Sequence, residues 1–366
     1  MPRNGSARAR WSTSPTSRRR TGRCRPAAGS ACGGGWRPEM PGHPARPTRR
    51  GLLALAGAAA LARPALAMPA AWPAERPIRY IVPVAPGGSQ DIVARLFARQ
   101  LAEALGQACP VENLPGAGSN IGYEQAARQK PDGYTLLAGS DSLSINKALF
   151  PRLGFDVTGF APVAQGVRVP QILVVRADSP AQSLEAFVTL ARRAPVAVGT
   201  PGNGSLAHLL GEQIQAAAEI RWTHVPYRGG ALAVNDLLGG SLQGVLINIG
   251  AVADHVRAGR LRGLFVSSGG RTGALPEVPT LAEAGLAGAE AVGWHGIVAP
   301  AGTDPAILAR LNAALVAGLR RPELAERLAG LGLEPVEEPP EALGRLIQAD
   351  AGRWAEVIRR ARIEPD

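Results

Sequence analysis

The sequence predicts an α/β protein with two lobes and a central ligand cleft, and three observations lead to this prediction. Short apolar runs alternate with amphipathic stretches from Ile78 to the C-terminus, which is typical of α/β architecture with mainly parallel sheets. The 366 residues are enough for two domains. Hydrophobic residues make up 46% of the chain and charged residues 19%, so a core-forming protein is expected and disorder throughout is excluded.

The first series of elements lies between Ile78 and Phe150. The run IRYIVPVAP predicts a strand, and the following helix has apolar residues at Ile92, Leu96 and Leu105. Further strands are predicted at CPVEN and YTLLAGS, and further helices at GSNIGYEQAARQ and SINKALF.

A second series of the same kind follows. Strands are predicted at QILVVRA, PVAVGTPG, RWTHVPY, LQGVLIN, GLFVSSGG and WHGIVAP, with helices between them at SLEAFVTLARRA, SLAHLLGEQIQAAA, AVNDLLGG and AVADHVRAGR. The tail, from PAILARLNAALVAGLRR to RWAEVIRRAR, is predicted to be helical.

Two such units without disulfides suggest a ligand-binding protein that closes by hinge motion. Val174 and Ile297 mark the candidate hinge crossings. The first lobe then comprises residues 73–175 plus 294–366, and the second comprises residues 176–293.

The net charge of +11 is distributed unevenly. Residues 1–67 contain 13 Arg, no Lys and the single acid Glu39, whereas residues 68–366 contain 27 basic and 28 acidic residues. The basic character belongs to the leader alone, so the sequence gives no support for a nucleic-acid partner.

The first 67 residues are typical of a leader followed by an export signal. Residues 1–39 lack apolar periodicity and are predicted to be disordered, or untranslated if Met40 is the true start. Residues 40–67 have a basic stretch, an apolar run of 12 residues and a small-residue cleavage site. The run is shorter than the ~20 residues that span a bilayer. We expect periplasmic export with cleavage after Ala67. Arg49 and Arg50 also resemble a twin-arginine motif, and both export routes stay open.

The loops after the strands form the candidate ligand site, because ligands of open α/β sheets bind at the carboxyl ends of strands. Glycines allow close backbone approach there, and helix starts expose N–H groups that attract carboxylates. Short polar residues in these loops can instead cap their own turns. Arg228, in VPYRGG, is a rival carboxylate clamp or a solvent-facing arginine. The candidate ligand-binding residues are Gly87, Gly88, Ser89, Asp91, Ser140, Asp141, Ser142, Thr200, Gly202, Gly204, Ser205 and Asn248.

The sequence contains no combination of residues that is typical of a catalytic or metal-binding site. The segment 116–122 has one residue too many for the dinucleotide fingerprint, and neither a phosphate loop nor a nucleophile elbow occurs. His208, Glu212 and His224 have metal-ligand chemistry, but we interpret them as a helix face near a strand histidine. Cys109, alone after the leader, is interpreted as a small apolar residue. We expect no enzyme activity, no cofactor and no metal.

Seven motifs in order resemble one family, the tripartite tricarboxylate transporter substrate-binding receptors, also called the Bug or TctC family. They are WPAERPIRYIVPVAPGGSQD, VENLPGAGSNIG, PDGYTLLAG, GNGSLAH, HVPYRGG, LPEVPTLAEAGL and WHGIVAPAGT. The resemblance extends from Trp72 to the C-terminus. It implies a type II periplasmic-binding-protein fold, capture of small carboxylates, often through ordered water, and delivery to membrane permease subunits without catalysis. It also implies that the ligand loops of the family correspond to the candidate ligand-binding residues named above, with the exception of Asn248.

One strand departs from the family pattern. The strand ahead of Asn248 usually carries acidic residues in this family, whereas here it contains Gln243 and Ile247. Ile247 removes an acidic partner for an ammonium group, which disfavours an amino-acid ligand. We expect a monomeric carboxylate receptor; the alternatives are a receptor that signals to a membrane kinase and an exported enzyme acting on small carboxylates.

Overall fold

The structure is a computed structural model that describes residues 72–150 and 152–365. The predicted leader and export signal lie outside the described residues. Within them the strands are β1 (Arg79–Val82), β2 (Val111–Asn113), β3 (Thr135–Ser140), β4 (Phe160–Arg176), β5 (Ala197–Thr200), β6 (Thr223–Pro226), β7 (Gly244–Asn248), β8 (Leu261–Val266), β9 (Val292–Pro300) and β10 (Glu334–Val336).

Helices follow most of these strands. They are α1 (Ser89–Leu105), α2 (Asn120–Ala127), α3 (Ser142–Leu149), α4 (Leu184–Arg193), α5 (Leu206–Ala218), α6 (Gly230–Leu238), α7 (Ala253–Arg257), α8 (Pro305–Leu319), α9 (Pro322–Gly330) and α10 (Pro340–Ala361). Short 3-10 turns occur at Ala117–Ser119, Val157–Gly159 and Ile249–Ala251.

The strands form a sheet with the order β2-β1-β3-β9-β4-β7-β5-β6, and β8 and β10 also pair with β4. Two groups are parallel: β1 with β2 and β3, and β5 with β6 and β7. The central strands β4 and β9 are antiparallel to all their partners. The prediction of mainly parallel sheets is therefore wrong for the centre, because strands that cross between the two groups replace helical crossovers there.

Strand β4 belongs to both halves of the sheet. Its part up to Pro170 pairs with β9, and its part from Gln171 pairs with β7 and β8. Val174 lies a few residues beyond this change of partners, and Ile297 pairs entirely within the first half. The predicted hinge positions thus lie inside one half each, and the lobe boundaries stay a prediction.

An irregularity in β4 makes room for α1. The register with β9 shifts on either side of Ala164, and Gly166 has a φ of +75°. A Cβ at Gly166 would lie 2.5 Å from the ring of Phe97 on α1. Only glycine satisfies both the left-handed backbone and this close approach.

The buried face of α1 is centred on residues other than the three apolar ones that define its helical period in the sequence. Val93, Phe97 and Leu101 are buried at helical spacing, whereas Ile92, Leu96 and Leu105 are half-buried. The helix sequence contains two apolar stripes that are offset by one residue, and contact with the sheet selects between them.

The C-terminal tail is helical except for β10. This strand of three residues pairs antiparallel with Gly166–Arg168 of β4. So short a strand shows no periodicity in the sequence, and Gly332, with a φ of +69°, turns the chain into it.

The last helix, α10, packs on the cores of both sheet halves. Leu343 and Ile347 join the apolar cluster that contains Trp294, whereas Trp354 and Ile358 join the cluster around α4 and α5. Among the described residues, no helix combines the length and apolar character needed to cross a bilayer.

Removal of one aromatic side chain should test how much α10 stabilises the fold. Trp354 is 1% exposed, and Trp354→Ala should lower the free energy of unfolding by about 3–5 kcal/mol in urea titrations. Gln348→Ala, on an exposed position of the same helix, should change it by less than ~0.5 kcal/mol. Equal effects of the two substitutions would mean that α10 adds little to the core.

Candidate functional site

An inner cavity of about 360 Å³ opens where the two parallel groups of strands end. Its walls come from the loops after β1, β3 and β5, the 3-10 turn 117–119, the middle of β4, the end of β7, and β9. The volume is of the size that small-molecule sites have in proteins. Strand ends of both halves therefore converge on one cavity, as sheet topology predicts.

Three helix N-termini meet at this cavity. Ser89 and Gln90 begin α1, Ser142 begins α3, and Leu206 and Ala207 begin α5, and all five line the cavity. The first turn of a helix has N–H groups without intrahelical acceptors and carries a partial positive charge. Together they provide a place for an anion that needs no charged side chain.

The first-turn N–H groups of α1 and α3 are not covered by side-chain caps. Gly88 precedes α1 and Asp141 precedes α3, and neither residue accepts a capping bond from its helix through a side chain. In α5 the cap is present, because the Ser205 hydroxyl accepts from the His208 N–H at 3.3 Å.

Three hydroxyl groups form a cluster on one wall. Tyr123 Oη lies 2.6 Å from Ser142 Oγ and 3.3 Å from Ser140 Oγ, and the two serines are 2.8 Å apart. Burial raises the pKa of Tyr123 to about 12, so the phenol stays protonated. Each hydroxyl has one hydrogen and two lone pairs, so the cluster can turn an O–H toward a ligand.

Two polar atoms at the cavity lack partners among the described residues. They are Asn248 Oδ1 and His295 Nδ1, both buried. The other ring nitrogen of His295, Nε2, lies 3.3 Å from Ser89 Oγ. Burial lowers the pKa of His295 to about 4, so the ring is neutral at pH 7. Unpaired buried polar groups cost free energy, and a ligand or water relieves that cost.

The inner cavity has few ionisable groups in its lining. Among the described residues that line it there is no Lys or Arg, and only Asp141 and His295 are ionisable. Burial, with a smaller contribution from the charge of Asp350, raises the pKa of Asp141 to about 7. Backbone N–H groups of Asp141 and Trp294 oppose this rise.

Nine of the twelve predicted ligand residues line the inner cavity: Gly88, Ser89, Ser140, Asp141, Ser142, Gly202, Gly204, Ser205 and Asn248. Gly87, Asp91 and Thr200 do not line it. The structure thus brings loops from both halves of the sheet together, as the sequence suggested.

Asp91 and Thr200 instead hold the loops from behind. Asp91 is 2% exposed, and its carboxylate accepts hydrogen bonds from the Gly87 N–H, Asn113 and Arg95. Thr200 Oγ1 donates to Gly202 O at 3.2 Å and lies 2.7 Å from His224 Nε2.

Sequence reasoning missed several lining residues. Gly118 and Ser119 come from the loop of the VENLPGAGSNIG motif, which was not assigned to the ligand site although it follows a strand like the other site loops. Gln171 and His295 lie within strands β4 and β9. A polar residue inside an apolar strand was the available signal, because a buried polar group needs a partner.

The side chains of His208 and His224 contact other groups of the protein. The rings of His208 and His224 stack with centroids 3.7 Å apart, and His208 Nδ1 accepts from the Gly204 N–H at 3.1 Å. Burial and the neighbouring His224 lower the pKa of His208 to about 3. Glu212 lies 3.8 Å from His208 Nε2, and no group of metal-ligating side chains occurs in the described part of the chain. These histidines support the loop after β5 through Thr200 and Gly204.

Two other residues that the sequence singled out lie away from the inner cavity. The Cys109 thiol has its pKa raised to about 12 by burial, so it is not a thiolate at neutral pH. The Ile247 side chain is buried in an apolar cluster and does not line the cavity. An acidic side chain at position 247 would therefore not face the cavity, so Ile247 gives no reason to disfavour an amino-acid ligand, and the ligand class stays a prediction.

Arg228 belongs to an outer cavity of about 970 Å³ at the mouth of the site. This outer cavity shares Val84, Gly88, Gly118 and Ser119 with the inner one, and residues 228–232 also line it. Arg228 is exposed and does not line the inner cavity.

A groove of about 820 Å³, larger than the inner cavity, lies between α5 and the end of α10. Its charged lining residues are four arginines and three glutamates: Arg192, Arg221, Arg353, Arg360, Glu212, Glu219 and Glu356. The groove is bounded by helices, and no strand ends at it. The smaller inner cavity, where strand ends and helix N-termini converge, is therefore the candidate ligand site.

A two-lobed α/β protein with its site at the strand ends is the architecture of a solute-binding receptor. The chain belongs to the family described as "Tripartite tricarboxylate transporter family receptor", whose profile matches residues 93–363. Members and structural neighbours of this family are periplasmic solute-binding proteins and not enzymes.

Three solved structures are similar to this chain over nearly their whole length. The periplasmic binding protein BugD is 33% identical with a TM-score of 0.72, covering 79% of this chain and 99% of its own. An adipate-bound protein of R. palustris is 33% identical with a TM-score of 0.75, covering 81% and 100%. MatC of Rhodopseudomonas palustris, solved with malate, is 31% identical with a TM-score of 0.71, covering 78% and 99%. The predicted two-lobed periplasmic-binding-protein fold is confirmed.

The support that Asp91 gives to the loop after β1 can be tested by measuring the free energy of unfolding. Burial alone would raise the pKa of Asp91, but the hydrogen bonds from Arg95, Gly87 and Asn113 outweigh it and lower the pKa below its usual range. Asp91→Ala should therefore lower the free energy of unfolding at pH 7 by about 2–3 kcal/mol.

The direction of the pKa shift of Asp91 determines how this loss of stability depends on pH. A folded-state pKa below the unfolded value means that the stabilisation is present at neutral pH and disappears below about pH 4. The difference in stability between the wild-type protein and Asp91→Ala should therefore shrink as the pH falls below about 4 in urea titrations. Asp254→Ala, at a side chain 90% exposed, is the control and should change little. A difference that grows as the pH falls would contradict an electrostatic role.

Proposed function

We propose that this protein is a periplasmic receptor that captures a small carboxylate in the inner cavity and delivers it to a membrane permease of the tripartite tricarboxylate type. The observation that carries the proposal is the convergence of three helix N-termini on a cavity that no lysine or arginine lines within the described residues.

The ligand chemistry follows from these donors. Helix N-termini contribute about 0.3–1 kcal/mol each at exposed sites and up to ~2 kcal/mol when partly buried. Hydrogen bonds to a charged group add about 1.5–3 kcal/mol each. The hydroxyls of Ser89 and Ser142 can supply such bonds, as can ordered water. A carboxylate that meets several of these donors can bind tightly without an ion pair.

Two similar proteins support the carboxylate class. Adipate and malate are bound in the R. palustris structures described above. Both are small dicarboxylates, and a cavity of about 360 Å³ is large enough for molecules of this size. Binding of a small organic acid of this kind is the expected activity of the present chain.

Delivery to a permease follows from the family. The family description names a receptor of a transporter, and a receptor of this kind needs membrane subunits to receive its solute. A pull-down of the ligand-loaded protein with membrane fractions should recover a large and a small permease subunit. Recovery of a membrane kinase alone would favour a sensory role.

The ligand can be identified directly. Protein purified without added carboxylate should release a small organic acid on denaturation, which mass spectrometry of the supernatant detects. Calorimetry with adipate, malate and citrate then measures affinity, and recovery of unaltered ligand is expected. Absence of binding by every mono-, di- and tricarboxylate in such a panel would contradict the proposal.

Backbone recognition and arginine recognition predict opposite mutational results. Gly88 has an ordinary extended backbone, and a Cβ there would meet no atom within 4 Å, so Gly88→Val should fold. Its branched side chain should enter the inner cavity and abolish detectable binding. Arg228→Ala should weaken binding less than about tenfold, or ~1.4 kcal/mol.

The matched control for this pair is Gly269→Val. Gly269 is exposed, lies outside the cavity, and also has open space around its Cβ position. Calorimetry on the folded variants should show wild-type affinity for Gly269→Val. Strong loss in Arg228→Ala with retained binding in Gly88→Val would show an arginine clamp instead.

We also propose that the mature chain begins at Met68, after removal of an export signal. The motivation is the small-residue site that ends at Ala67 and the loss of basic charge beyond it. N-terminal sequencing of protein from the periplasmic fraction should give Met68-Pro69. A retained leader would contradict this, and blocking the twin-arginine route separately reports which export system is used.

A further inference from the structure

The strongest feature that the proposed function leaves unexplained is the carboxyl group of Asp141. It lies at the start of α3 and lines the inner cavity. Its hydrogen-bond donors are two backbone N–H groups, those of Asp141 itself and of Trp294. Among the described residues it forms no ion pair with a lysine, an arginine or a histidine.

The groups packed around Asp141 supply no compensating positive charge. Asp350 of α10 is a second carboxylate close enough to disfavour ionisation of Asp141. Arg353, one turn further along α10, acts on Asp350. Tyr123 of α2 is a neutral phenol and His295 of β9 is a neutral ring near pH 7. A negative ligand in this cavity therefore meets a carboxyl group that has no cation beside it.

Two carboxylates at close range cannot both stay ionised without a large cost, whereas a pair that shares one proton avoids it. A protonated carboxyl group is also a strong donor to a carboxylate, with a short O–H···O⁻ bond. We propose that Asp141 is a specificity residue that binds the ligand carboxylate in its protonated form, so that the receptor takes up one proton together with its ligand.

The proton balance of this step is simple. When Asp141 is ionised in the free protein, binding draws one proton from water to its carboxylate, and the new O–H group donates to the ligand. Dissociation returns the proton, and no covalent bond to the ligand forms or breaks. This inference rests on the proposed function, because it requires a carboxylate in the inner cavity.

The pH range follows from the pKa of Asp141, which burial and Asp350 raise to about 7. Below this value Asp141 is already protonated, so affinity should not depend on pH. Above it each pH unit should weaken binding about tenfold, because the ligand must recruit a proton. The other ionisable lining group, His295, stays neutral throughout this range.

Calorimetry with adipate, and with malate if adipate does not bind, tests the inference on the intact mature chain. Between pH 7 and pH 9 the Kd should rise about fiftyfold. Titrations at pH 8 in buffers of different ionisation enthalpy should show uptake of close to one proton per ligand.

Three variants separate Asp141 from general effects of pH. Asp141→Asn keeps the shape and an N–H donor, so it should bind with little pH dependence and without proton uptake. Asp350→Asn removes the neighbouring carboxylate and should move the midpoint of the pH profile downward. Asp254→Asn, at an exposed carboxylate, should retain the wild-type profile.

Each outcome decides a different point. Tight binding without proton uptake would overturn the role of Asp141 and leave the carboxylate receptor intact. Affinity that increases with pH through the same range would also overturn it, because ionised Asp141 would then be pairing with a cationic group of the ligand. Absence of binding by either probe and by the wider carboxylate panel at every pH would reject the proposed function, and this inference with it.

Discussion

Strand β4 is the constraint on which the site depends, because it pairs with both parallel groups of the sheet. Its first part lies against β9, which carries His295, and its second part lies against β7, which ends at Asn248. Val169 and Gln171, near the change of partners, line the inner cavity themselves. The strand ends of two separate parallel groups therefore face the same space, and the loops after them need no long extensions to reach a common ligand.

In the proposed function the site holds anionic charge through the backbone. Lysine and arginine hold carboxylates strongly, but they also fix the position and charge of the partner. Helix N-termini and hydroxyls spread the interaction over many weaker donors, which adapt to ligands of different shape through ordered water. The electrostatic effect of such donors grows as the surroundings become less polar, so burial of the ligand strengthens them. The rigid supports behind the loops, such as Asp91 and His208, keep the donors in place.

The carboxyl group of Asp141 fits this arrangement only if its charge is controlled. A permanently ionised carboxylate in a cavity for anions would oppose the function of the helix N-termini around it. Burial and the nearby Asp350 raise its pKa to about 7, so the protonated and ionised forms are both populated at neutral pH. A receptor exported to the periplasm experiences the pH of its surroundings directly, so proton-linked binding would make solute capture sensitive to acidity.

The sequence by itself determined the class of elements and most of the loops of the site. Strand and helix alternation, with glycine and hydroxyl residues after the strands, indicated the loops around Gly88, Ser142 and Ser205, because local backbone chemistry dictates those residue types. It could not determine the antiparallel centre of the sheet or the choice between two apolar stripes on α1, because both depend on contacts with distant parts of the chain. His295 became a site residue only through the pairing of β4 with β9, and Gln171 only through the pairing of β4 with β7. The same tertiary packing decided that Ile247 faces the core and that Asp141 lies near Asp350, since side chains distant in sequence acquire their electrostatic surroundings only when the chain folds.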